Sequence, residues 1–156
     1  ERMLADCRRR WDYAIAEGEA FRMATIVVGD PSTWKYGDGT FWGYATKVQQ
    51  VSGNVRVGRM LTGFVQADER AEYNLDVVKS GAYSIKLKGA DLDSGAHLSI
   101  QVAGQTLTPQ KVSAEFIEFG SLNLPLGEMK LEIIAGQSAT KINPVSIERI
   151  LFSLGQ

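Results

Sequence analysis

The chain has 156 residues, enough to bury roughly two-thirds of its unfolded surface and to form one domain, alone or with a helical appendage. Hydrophobic content of 44% and charged content of 22% exclude wholesale disorder. Lys+Arg 17 against Asp+Glu 18 leaves a net charge of -1, far from the basic excess of a protein that grips nucleic acid by its phosphates, so no nucleic-acid partner is expected.

The chain opens Glu1-Arg2-Met3, with no initiator methionine and no signal peptide, and so reads as a piece of a longer protein. Between Glu1 and Glu17 there is no Gly or Pro, and Leu4, Cys7, Trp11 and Ile15 recur at helical spacing, which predicts an amphipathic helix stopped by Gly18. Such a helix must cover a surface, either as a cap on the following domain or as a connector to a preceding one. Ala24-Thr25-Ile26-Val27-Val28 predicts a strand, closed by a turn at Gly29-Asp30-Pro31. An aromatic loop follows, with Trp34, Tyr36, Phe41, Trp42 and Tyr44 spaced by Gly37, Gly39 and Gly43.

Beyond Gly53 the pattern is β throughout. Val55-Arg56-Val57 and Phe64-Val65 predict strands. Tyr73, Leu75 and Val77 alternate with polar residues, as do Tyr83, Ile85 and Leu87, and Lys79-Ser80-Gly81 between them predicts a hairpin. Leu98, Ile100 and Val102 repeat the alternation, and so do Met129, Leu131 and Ile133. In the last strand the apolar parity slips between Val145, Ile147 and Ile150, Phe152, Leu154, which predicts a β-bulge near Glu148-Arg149. Short alternating strands with regular turns and no βαβ units define an all-β antiparallel sandwich or barrel.

Catalytic motifs are missing: there is no GxSxG elbow, HExxH, Walker loop or CxxC pair. A single cysteine excludes an internal disulfide, and a single histidine leaves little for a His-rich metal site. No run reaches the roughly 18 apolar residues that span a bilayer, so no membrane partner is expected. His97 reads as a surface or strand-end residue, and Cys7 as a small buried hydrophobe on the helix stripe. Asp91 and Asp93 before Gly95 read as a solvated hairpin tip, so no cofactor is expected, with a calcium site there as the alternative. Trp34, Tyr36, Trp42 and Tyr44 admit two readings. They form a platform for the apolar faces of sugar rings, with Asp38 or Asn54 as polar partners, or they plug the seam between helix and sandwich.

Four stretches carry a family resemblance: Ala71-Glu72-Tyr73-Asn74-Leu75-Asp76-Val77, Ser80-Gly81-Ala82-Tyr83-Ser84-Ile85, Leu124 to Leu131, and Ile147-Glu148-Arg149-Ile150-Leu151-Phe152. They match a Y-x-V-x-V strand, a G-x-Y strand, an L-x-x-G-x-x-x-L hairpin and a terminal I-D-x-I-x-F. From Val57 to Phe152 the chain thus resembles family six and family thirty-five carbohydrate-binding modules. The Trp11 helix, Ile26-Val27-Val28-Gly29-Asp30-Pro31 and the aromatic loop make the whole similar to the C-terminal extension of bacterial arylsulfatase-like enzymes, or to the tail of a glycoside hydrolase such as an α-L-fucosidase. The sulfatase nucleophile motif C/S-x-P-x-R is absent, since Arg8 to Trp11 follow Cys7.

The resemblance implies a jelly-roll-like β-sandwich over 23–156. Residues 1–22 would be a helix or connector from a catalytic domain of the same chain. It further implies a non-catalytic accessory role, a glycan or polysaccharide partner and a periplasmic or extracellular location; the aromatic loop read above then offers Trp34, Tyr36, Trp42 and Tyr44 as the residues that stack on that glycan. The rival reading is a purely structural domain without a ligand.

Overall fold

The computed structural model describes residues 25–30, 40–136 and 144–155. The expected N-terminal helix, Cys7, Trp11, Trp34, Tyr36 and Asp38 lie outside the described residues. Among the described residues, thirteen strands run in chain order: β1 (Thr25–Val28), β2 (Thr40–Tyr44), β3 (Gln50–Val51), β4 (Arg56–Val57), β5 (Leu61–Gly63), β6 (Arg70–Val77), β7 (Gly81–Ala90), β8 (Leu98–Val102), β9 (Gln105–Leu107), β10 (Lys111–Val112), β11 (Phe116–Leu124), β12 (Gly127–Ala135) and β13 (Val145–Leu154). They form two sheets of a jelly-roll-like β-sandwich. The first has the order β1-β6-β12-β8-β9 with β3 also on β6, and the second β10-β11-β7-β13-β5-β4 with β2 also on β13. All pairings are antiparallel except that of β1 with β6.

Alternation decides which side chains meet between the sheets. Tyr73, Leu75 and Val77 of β6 and Tyr83, Ile85 and Leu87 of β7 are fully or almost fully buried in one core with Leu131, Ile133, Ile150 and Phe152. Two strands expected to pair do not. β6 lies in the first sheet and β7 in the second, so Lys79-Ser80 is an arch across the sandwich rather than a hairpin. The Leu124–Gly127 corner is a second arch, between β11 and β12. A strand with one apolar face can bury it beside its sequence neighbour or opposite it, and alternation is the same in both cases. Hairpins do occur at Ala103-Gly104, where both residues take positive φ (52° and 73°), and at the β4–β5 and β10–β11 turns.

Phe64-Val65, expected as a strand, follows β5 as a loop, because Phe64 takes φ 62° and leaves the ladder. Asp91 and Asp93 also sit elsewhere than at a hairpin tip. They flank the buried Leu92 in a short 3-10 turn (Leu92–Ser94) that carries the chain from β7 in one sheet to β8 in the other.

The expected bulge is present. β13 pairs Ile147 with Gly89 and Arg149 with Lys88, so Glu148 is the extra residue. Gly89 makes room for it: a Cβ there would overlap the carbonyl oxygen of Ser146 and press on the Ile147 Cα, both backbone atoms that cannot swing away. Gly89→Ala should therefore destabilise the sandwich by about 2–3 kcal/mol, lowering the thermal midpoint by about 5–10 °C in calorimetry. An unchanged midpoint would show that the two central strands of this sheet separate freely.

Candidate functional site

The outward positions of the second sheet form a lattice fixed by register. One row runs Thr40, Ser153, Ser84, Ser121 across β2, β13, β7 and β11. The next runs Trp42, Leu151, Lys86, Glu118 and on to Lys111 of β10. A third runs Tyr44, Arg149, Lys88, Phe116. Hydroxyls in the first row pair at 3.1 Å, Thr40 with Ser153 and Ser84 with Ser121.

Trp42 and Tyr44, two of the four residues expected to stack on sugars, occupy the β2 end of this face. Their rings meet edge to face, with centroids 4.8 Å apart at 86°, so they form a corner rather than one flat platform. Arg149 fills the corner: its guanidinium lies 4.3 Å from the Trp42 centroid and 5.7 Å from that of Tyr44, and its Nε is 3.3 Å from a Glu148 carboxylate oxygen. Tyr44 keeps 45% of its surface exposed. At the far end Lys86 spans Glu118 at 3.4 Å and the Phe116 ring at 4.9 Å, beside a depression of about 180 Å³ lined also by Lys111 and Ser113.

Ala45 holds this face in place. Its amide donates to the Glu148 carbonyl at 2.9 Å, continuing the ladder at the bulge, and its carbonyl accepts the buried Tyr73 hydroxyl at 2.7 Å. That second bond crosses the core from the first sheet, and burial pushes the Tyr73 phenol well above its ordinary pKa. Gly43, between the two aromatics, lets Ile26 of the opposite sheet pack against the backbone, since a Cβ there would lie 2.8 Å from Ile26 Cγ1.

The other polar centre is structural. Glu69 is only 4% exposed, and its carboxylate accepts backbone N–H groups from Val65 at 2.9 Å, from Gln66 at 2.8 Å and from Asn54. One side chain thereby ties the β3–β4 turn to the loop after β5, and Gly53 at φ 62° is needed because a Cβ would overlap the Glu69 carboxylate. Asn54, expected as a polar partner for the aromatics, gives its amide to this clamp. The ring of His97 donates from Nε2 to the Phe64 carbonyl at 2.8 Å, a strand-end role in the same corner. Among the described residues no group of three or more His, Cys, Asp or Glu is placed to hold a metal ion. No helix of the described residues is long and apolar enough to cross a membrane.

With the geometry in hand, the class is a two-sheet, jelly-roll-like β-sandwich. No family model and no curated protein matches the chain. Solved structures do, in fold. The GH26-CBM35 β-(1,4)-mannanase of Podospora anserina matches with a TM-score of 0.56 at 13% identity, over 76% of this chain and 28% of that one. The CBM36-1 domain of a multidomain xylanase from the hindgut metagenome of Trinervitermes trinervoides matches with 0.52 at 12% identity, over 75% of this chain and 98% of that one. The insecticidal crystal protein Cry2Aa matches with 0.55 at 18% identity, over 74% of this chain and 21% of that one. The chain therefore spans little more than a quarter of the mannanase and nearly all of the isolated module.

The sequence did not single out Arg149, Lys86, Lys88 or Glu69. For Arg149 the parity slip at Glu148 was the available signal, because it puts residue 149 on the outward set with Leu151 and Ser153.

Glu69 yields a pH prediction. Burial raises its pKa, but the N–H donors of Asn54, Gln66 and Val65 together outweigh burial and hold it below the ordinary glutamate value of 4.5. A lowered folded-state pKa contributes stability above the unfolded value and loses it as pH falls through the folded one. Glu69→Gln, which turns an amide donor toward one of those N–H groups, should cost about 1–3 kcal/mol at pH 7 and flatten the acid limb of stability below pH 4.5. Urea titrations across pH check this, and an acid limb as steep as in the parent chain would deny Glu69 the role.

Proposed function

We propose that the chain is a non-catalytic, carbohydrate-binding accessory domain, with Trp42 and Tyr44 as its described contacts and Trp34 and Tyr36 as further ones. The observation that carries the reading is the aromatic corner on an outward sheet face. An exposed tyrosine set square to a tryptophan, with a guanidinium between them, offers apolar walls for C–H faces and N–H donors for hydroxyls. The rows of Ser and Thr hydroxyls and of charged groups beside it supply further partners for polyols. Two fold neighbours support the reading, because one carries a CBM35 part and the other is a CBM36 domain of a xylanase.

The domain would serve a carbohydrate-active hydrolase of which it is a part, holding polysaccharide near a catalytic domain and raising local substrate concentration through the tether. A sulfatase as that enzyme rests on the sequence resemblance alone, as does an α-L-fucosidase. A location in the periplasm or outside the cell follows from the same reading. Calcium enters as an additive to test. The structural alternative draws on Arg149, whose stacking already gives Trp42 a partner inside the fold.

Trp42→Ala should weaken binding of the 156-residue chain to its preferred polysaccharide at least about ten-fold in calorimetric titration, with the fold retained. Tryptophan fluorescence should shift on adding that polysaccharide. Unchanged affinity in a folded variant would remove Trp42 from the site, and silence across a broad glycan array, with and without calcium, would favour the structural alternative.

A further inference from the structure

The two outward faces differ in charge although the chain is nearly neutral. On the first sheet Glu72, Asp76, Glu128 and Glu132 outnumber Arg70 and Lys130, with ion pairs at 3.1 Å (Arg70–Glu132) and 3.5 Å (Lys130–Glu72). On the second, Lys86, Lys88, Lys111 and Arg149 outnumber Glu118 and Glu148. The cations thus gather on the face that also carries Trp42, Tyr44 and Phe116.

Within that face the cations are unevenly matched. Lys86 has Glu118, and Arg149 has Glu148. Lys88 has no ion pair among the described residues, and it lies directly across from Arg149 in the antiparallel register. Like charges at directly opposed positions repel. An anionic group seated between them would turn that repulsion into two attractions. The row Tyr44, Arg149, Lys88, Phe116 crosses four adjacent strands, about 14 Å at the usual strand spacing. A sugar ring against the Tyr44–Trp42 corner would therefore carry its substituents toward the cation pair, and the next part of the chain toward Phe116.

We propose that this face takes an anionic glycan, its carboxylate or sulfate groups seated over Arg149 and Lys88. The proposal rests on the glycan-binding reading above and adds the charge of the ligand. The test uses the 156-residue chain, calorimetric titration and matched polysaccharides. Polygalacturonate against its fully methyl-esterified form tests the carboxylate, and carrageenan against agarose tests the sulfate. At least one charged member should bind at least about ten-fold more tightly than its neutral partner. Its affinity should fall as NaCl rises from about 20 to about 200 mM, since exposed charges are screened. Lys88→Gln should abolish the preference without lowering the thermal midpoint, and Lys130→Gln on the opposite face should leave it intact. The pair that shows the preference tells carboxylate from sulfate.

Equal affinity for charged and neutral members, or binding to a neutral mannan or xylan alone, would overturn the anionic ligand and leave the glycan reading standing. Equal losses in Lys88→Gln and Lys130→Gln, or a single-stranded DNA oligomer bound as tightly as the charged polysaccharide, would reduce the effect to unspecific charge and overturn it as well. A folded chain that binds no glycan at all would overturn both readings together.

Discussion

β13 gains one residue on β7 at Glu148, and the second sheet is arranged around that step. β13 is flanked by β7 along one edge and by β5 and then β2 along the other, so a shift of one residue is felt by every central strand of the sheet. Without the extra residue, the parity that buries Val145 and Ile147 would turn Ile150 and Phe152 to water. With it, both halves face the core and Arg149 faces out, between Tyr44 and Lys88. The step also leaves the Glu148 carbonyl to the Ala45 amide, and the Ala45 carbonyl to Tyr73. Core, bulge and outward corner are thus joined through two backbone groups of a single alanine.

The individual strands were legible in the sequence because burial on one face writes itself as alternation. β6, β7, β8 and β12 fall where Tyr73 to Val77, Tyr83 to Leu87, Leu98 to Val102 and Met129 to Ile133 alternate, and even the bulge showed as a slipped parity. Pairing was not legible. Lys79-Ser80-Gly81 carries turn chemistry whether the chain folds back beside itself or crosses to the other sheet, and here it crosses. Trp42 and Tyr44 were legible only as aromatic residue types, as a platform or as a seam plug, and their perpendicular setting beside Arg149, more than a hundred positions away, was not. No local pattern announces Glu69 as a clamp, because its partners are backbone amides, which every residue but proline carries.

The contacts that stabilise the fold are separated in space from the outward face proposed to meet a ligand. The clamp at Glu69, the His97–Phe64 bond and the Tyr73–Ala45 bond are all buried or half-buried at the ends and in the middle of the sandwich. The outward lattice of the second sheet contributes little to the core, apart from the stacking of Arg149. Exposed ion pairs such as Lys86–Glu118 are worth about 0–1 kcal/mol, so folding alone places weak demands on which residues stand there.

That weak demand is why the composition of the face is informative. The same sandwich occurs in a polysaccharide-degrading enzyme and in an insecticidal protein, so the fold does not select a ligand, and the selection has to be read from side chains that the core does not require. Tyr44 is such a side chain: the residue is 45% exposed in a strand where a threonine would satisfy the ladder equally well. Lys88 is another, set across from a like charge where a glutamate would pair with Arg149. An exposed aromatic and a cation with no ion pair among the described residues, two strands apart in one row, are each unfavourable choices for a surface whose only task is to be wet. Both would become favourable under the proposed ligand, a ring whose acidic substituent lies across them.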